Sequence, residues 1–79
     1  MKGWQMKELK ELVTRAGGTL LLCSSPEEAR EKAKNVSEKV KVFQITGDVK
    51  HYIVLPEEID ISATLERLRN KTALDFQEI

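Results

Sequence analysis

The sequence predicts a small α+β domain, on three observations. Apolar residues recur at spacings of three and four in three separate stretches, which is the pattern of amphipathic helices. Between these lie short runs rich in β-branched, leucine and aromatic residues, which read as strands. The glycines and prolines stand singly or in one pair, at what read as element boundaries.

The first helix is expected over residues 3–16. Met6, Leu9, Leu12, Val13 and Ala16 form one apolar stripe, and Lys7, Glu8, Lys10 and Glu11 fill the opposite face. Trp4 falls at the start of this helix, and Gly17 supplies its C-terminal stop. A strand follows over 18–24. Thr19-Leu20-Leu21-Leu22-Cys23 is apolar without alternation, as expected of a strand buried on both faces, and this makes it the candidate central strand.

The second helix opens with a complete set of start signals: Ser25 as N-cap, Pro26 at the first helical position, and Glu28 closing a capping box. It runs to about Asn35, with Ala29, Ala33 and Val36 as a thin apolar stripe. Residues 40–46 and 49–55 read as two hairpin strands joined by a two-residue Gly47-Asp48 turn. Asp60 caps a third helix over 61–70, whose inner face is Ile61, Leu65 and Leu68. Residues 72–78 alternate, with Thr72, Leu74 and Phe76 on one side, and read as the last strand.

The order is therefore a helix followed by βαββαβ. Residues 1–79 make one domain, with 1–17 as a helical extension and 18–79 as the core. The βαββαβ order is that of the ferredoxin-like, or split βαβ, fold. Its sheet has four antiparallel strands, and we expect both core helices on one face with the first and last strands central. The alternative is a three-layer α/β arrangement in which the first helix covers the second face. The hairpin motivates that alternative, because it is apolar on both sides. A two-residue turn places Val40, Val42, Ile53 and Leu55 in one set and Phe43, Ile45, Tyr52 and Val54 in the other.

Composition excludes several classes of function. With 79 residues there is room for one domain. No apolar run exceeds four residues, the length of Leu20–Cys23, far short of the roughly 20 residues of a membrane span. One cysteine cannot form an internal disulfide, and Met1–Gln5 leads into a charged helix instead of a signal sequence. A cytoplasmic soluble protein is the expectation. Thirteen basic residues balance thirteen acidic ones, but residues 1–41 carry nine basic and six acidic side chains while 42–79 carry four and seven.

The sequence offers few groups for chemistry. Cys23 stands where a strand meets a helix N-terminus, a place that favours a thiolate. The simpler account is an inert thiol continuing a leucine run. Ser24 and Ser25 are the candidate anion-binding residues, because free backbone N–H groups gather at a helix start. His51 is the lone histidine, and no ligand spacing accompanies it or Cys23, so no metal site is expected. Gly17-Gly18 precedes a strand, the reverse of a phosphate-binding loop. No cofactor and no catalytic residue is assigned, and the chain is not expected to be an enzyme.

The leading functional expectation is a non-catalytic protein-interaction or regulatory module that pairs with itself or with another protein. Phe43, Tyr52 and Val54 are its candidate interface. A second expectation is a stable scaffold without a ligand, natural or designed, since the second helix obeys nearly every helix-design rule. A third is single-stranded nucleic-acid binding through the hairpin face. Only four aromatics and zero net charge count against it.

Overall fold

A computed structural model describes residues 3–79, with side chains from Met6 onward; Met1, Lys2 and the side chain of Trp4 lie outside the described residues. The elements are α1 (Gly3–Arg15), β1 (Thr19–Leu22), α2 (Pro26–Val36), β2 (Val40–Ile45), β3 (His51–Pro56), α3 (Ile61–Thr72) and β4 (Phe76–Glu78). The four strands form one open antiparallel sheet in the order β1-β3-β2-β4.

That order corrects the expected topology. β1 and β4 are the two edges, and the hairpin strands β3 and β2 are central. The first crossover still runs from β1 through α2 to β2 with β3 inserted between them. The second runs from β3 through α3 to β4, and it passes outside β2 instead of returning beyond β1. Both crossovers thus step the same way along the sheet, while β1 and β3 point in opposite directions. Right-handed connections then require α2 and α3 on opposite faces.

The core has that division. Directly paired residues share a face, so the register Val42↔Val54 and Phe43↔Ile53 separates the side chains. Val42, Tyr52 and Val54 pack with Ala29 and Ala33 of α2. Phe43, Ile45, Ile53 and Leu55 pack with Leu65 and Leu68 of α3 and with Leu9 and Val13 of α1. The molecule has three layers, as the alternative reading expected. The second face is nevertheless covered by α2, and α1 lies beside α3. With Leu9 and Val13 fully buried, α1 belongs to the core and is not an appendage.

The expected hairpin sets were wrong by one residue of register. The link between β2 and β3 is longer than Gly47-Asp48, because Gln44 pairs with Tyr52 and the turn takes up residues 46–50. The Asp48 N–H donates to the Ile45 carbonyl at 3.0 Å, and Gly47 sits at φ +85°, where glycine is free of steric cost. A one-residue shift exchanges the faces of one strand relative to the other. Val42 therefore joins Tyr52 and Val54 and not Ile53.

Local signals fix the helix ends. Ser25 Oγ accepts from the Glu28 N–H at 3.2 Å, and Asp60 Oδ1 accepts from the Ala63 N–H at 3.0 Å. Each cap stabilises its helix by about 1 kcal/mol. α1 ends with the Gly18 N–H donating to Val13 O at 2.8 Å and the Gly17 N–H to Thr14 O at 3.0 Å, with Gly17 at φ +90°. Gly18 is needed for a different reason: a Cβ there would stand 2.6 Å from the Val54 carbonyl oxygen.

Several expected boundaries move: β1 is Thr19–Leu22 and not 18–24, and β3 is His51–Pro56 and not 49–55. Thr72 belongs to α3, where its hydroxyl donates to the Leu68 carbonyl at 2.6 Å, and β4 begins only at Phe76. Ala73 closes α3 in the left-handed conformation at φ 59°. Val36 ends α2 and is 51% exposed, so the buried stripe of that helix is Ala29 and Ala33 alone.

Candidate functional site

The sequence-selected residues do not converge on one place. Phe43, Tyr52 and Val54 are 5%, 1% and 1% exposed, and Phe43 lies on the opposite face of the sheet from the other two. They are core residues under helices. The aromatic platform that base stacking needs is therefore covered at Phe43 and Tyr52. Burial pushes the Tyr52 hydroxyl above its ordinary pKa, and that hydroxyl donates to the Val49 carbonyl at 3.3 Å.

Cys23 lies just beyond β1, and its N–H donates to the Lys50 carbonyl at 2.8 Å. The thiol is buried against α2. Desolvation raises its pKa, with Glu28 adding to the rise and Lys32 opposing it. A thiolate is disfavoured in such a setting.

The start of α2 carries its own anion. One Glu28 oxygen accepts from the Ser24 N–H at 2.9 Å and from the Ser24 hydroxyl at 2.8 Å. Those donors hold the Glu28 carboxyl below the usual carboxylate range, with help from Lys32. Ser25 spends its hydroxyl oxygen on the Glu28 N–H. The position an external anion would take beside Ser24 is thus filled by the chain's own carboxylate.

His51 opens β3 directly after the hairpin turn. Its Nδ1 lies 2.8 Å from Asp48 Oδ2, while Asp48 Oδ1 accepts from the N–H groups of Lys50 (2.8 Å) and His51 (3.1 Å). Burial works to raise the Asp48 pKa, but these donors outweigh it and hold the carboxyl below its ordinary value. The cluster clamps the turn and fixes its length. Cys23 and His51 do not face each other: Cys23 packs toward α2, whereas His51 is paired with Leu22, one register position away and on the other face. Among the described residues no group of three acidic, histidine or cysteine side chains could hold a metal ion. No described helix is long and apolar enough to cross a membrane.

The surface feature with most to offer is the outer edge of β1, the strand whose composition predicts a central position. The Cys23-to-Lys50 hydrogen bond sets the alternation of the ladder. The backbone groups of Cys23, Leu21 and Thr19 turn toward β3, and those of Leu20 and Leu22 turn outward. One of these outward groups is met: Lys32 Nζ reaches the Leu22 carbonyl at 3.4 Å. The Leu22 side chain is 64% exposed. The opposite edge differs. β4 carries Gln77 and Glu78, follows Asp75, and is three residues long. Charge and shortness are the usual protection of an edge, and β1 has no charge over Thr19–Leu22. The apolar run of leucines was the signal for this edge, but a buried central strand would look the same. Comparison with protein-family models, curated proteins and solved structures finds no match to this chain.

Proposed function

We propose that the chain is a non-catalytic protein-interaction or regulatory module that works by strand addition at β1, first of all with a second copy of itself. The observation that carries this is the β1 edge, a strand with no charged residue of its own, with outward backbone groups at Leu20 and Leu22 and an exposed Leu22 side chain. Antiparallel pairing of two β1 strands about a two-fold axis would satisfy those groups and continue one sheet across both copies. Both sheet faces are already covered, so the edge, and not the hairpin face, is the surface on which pairing can occur. The buried thiol suits the reducing, cytoplasmic setting expected from the sequence.

Sedimentation equilibrium tests the reading. The wild type is expected at twice the 9.0 kDa chain mass, falling to a single chain mass for Leu22→Lys, which places a charge on the edge. Leu22 is exposed, so the variant keeps its circular dichroism spectrum. A wild type that sediments as a single chain up to millimolar concentration overturns pairing between copies. The scaffold reading draws on a different observation: no buried side-chain nitrogen or oxygen among the described residues lacks a hydrogen-bond partner. A complete polar accounting of that kind suits a stable framework.

A further inference from the structure

The groove between α1 and α3 is independent of the β1 edge and collects positive charge in a neutral protein. It has a volume of about 360 Å³. Arg15 of α1 and Arg67 and Lys71 of α3 line it, over a floor of Leu12, Ala16 and Leu68. No carboxylate lines it; Glu66 lies in the adjoining depression on the outer side of Arg67 and Lys71 and makes no ion pair with either. None of the three cations makes an ion pair; the ion pairs among the described residues are Lys32–Glu28 and Arg69–Asp75. Helix polarity accounts for a cation in the last turn of α1 or α3, as with Arg15 and Lys71. It does not account for Arg67 in the middle of α3, nor for three like charges around one apolar floor. Placing like charges together costs energy, which an anion of matching shape would recover.

We propose that this groove binds a small amphipathic anion, with a carboxylate or phosphate head held by Arg15, Arg67 and Lys71 and an apolar body resting on the partly exposed Leu12 and Ala16. Its volume lies at the lower end of the range of small-molecule sites, so the apolar body is short. Both guanidinium groups can take an oxyanion in two parallel hydrogen bonds, and the lysine adds a point charge. The floor separates this ligand from a bare inorganic ion, which would gain nothing from leucine.

The test is a titration of the full chain, followed by amide proton–nitrogen correlation spectra. The probes are octanoate, octyl phosphate, inorganic phosphate and 1-octanol. Octanoate or octyl phosphate is expected to shift amides within 12–16 and 64–71, with phosphate and octanol much weaker. Octanoate alone would identify a carboxylate ligand, and octyl phosphate alone a phosphate monoester. Arg67→Gln is expected to weaken binding about tenfold and Arg67→Lys by less, since loss of a charged hydrogen bond is of that size. Arg67 is exposed, and the same spectra show whether each variant is folded. Three results would each overturn the proposal: no shifts in the groove with either amphipathic anion, equal binding of inorganic phosphate, or equal binding of octanol. Tighter binding of a twelve-residue oligothymidylate at the same amides would overturn it in favour of a nucleic-acid backbone.

Discussion

The two faces of the sheet are covered by different means. On one, α1 and α3 bring Leu9, Val13, Leu65 and Leu68 against Phe43, Ile45, Ile53, Leu55 and Phe76. On the other, α2 brings only Ala29 and Ala33 against Cys23, Val42, Tyr52 and Val54. The first face is filled by branched side chains that meet halfway. The second is filled from the sheet side, chiefly by Tyr52, and the helix lies close because its inner residues are small. Stability on the thick face depends on volume that is present. On the thin face it depends on volume that is absent. Opposite substitutions should therefore damage them.

The largest effect is expected from truncation on the thick face. Leu68→Ala should cost about 3 kcal/mol, read as a lowered urea midpoint, because Leu68 is fully buried and its truncation leaves a cavity in the core. A cost under about 1 kcal/mol would show that α3 settles onto the sheet and that this face is not tightly filled. Enlargement on the thin face comes next. Ala33→Leu should cost about 2 kcal/mol by pushing α2 away from Val42 and Tyr52. A stabilised variant would mean that the space beneath α2 is underfilled, and the contrast between the faces would fail.

The smallest of the three effects concerns the turn that assigns side chains to faces. Asp48→Ala removes the acceptor for two backbone N–H groups and should cost about 1 kcal/mol at neutral pH. The pH dependence gives a sharper reading. The folded-state pKa of Asp48 is depressed, so its contribution is complete above the unfolded value and is lost as pH falls through the folded one. Wild type should thus lose more stability than Asp48→Ala between about pH 5 and about pH 2. Equal losses in the two proteins would remove Asp48 as the clamp.

What the sequence revealed was what local chemistry decides. The Ser25 and Asp60 caps and the Gly17 stop each depend on a side chain or backbone within a few residues of its partner, and each was readable. The elements themselves, three helices and four strands, follow from periodicity. The turn misled because Gly47-Asp48 has the composition of a two-residue link, while the Asp48 carboxylate accepts from the N–H groups of Lys50 and His51 and closes a longer one. Thr72 misled because its hydroxyl serves a helix carbonyl in a stretch that also alternates like a strand.

Strand order was hidden for another reason. A right-handed βαββαβ chain can dock its last strand on either side of the hairpin, and no local residue states which. The relevant signal was spread over two strands: a hairpin apolar on both sides needs a helix on each. The same geometry disguised β1, since an edge strand in a three-layer molecule partly buries Leu20 against one face and Leu21 against the other. The candidate interface at Phe43, Tyr52 and Val54 came from reading the hairpin as uncovered. The edge at Leu22 and the groove beneath Arg67 depend on long-range placement, and neither has a local signature.

The central position of β3 also limits how this chain can change. In a sheet with one wet face, every second position of a strand is free to drift. Tyr52, Ile53, Val54 and Leu55 have no such positions, because four consecutive side chains are buried alternately under α2 and under α1 with α3. A polar replacement at any of them would strand an unpaired group in the interior. Sequence divergence in relatives of this chain would collect on the outward sides of the helices away from Arg15, Arg67 and Lys71 and at the β4 edge, leaving this tetrapeptide as the segment by which distant kin could be aligned.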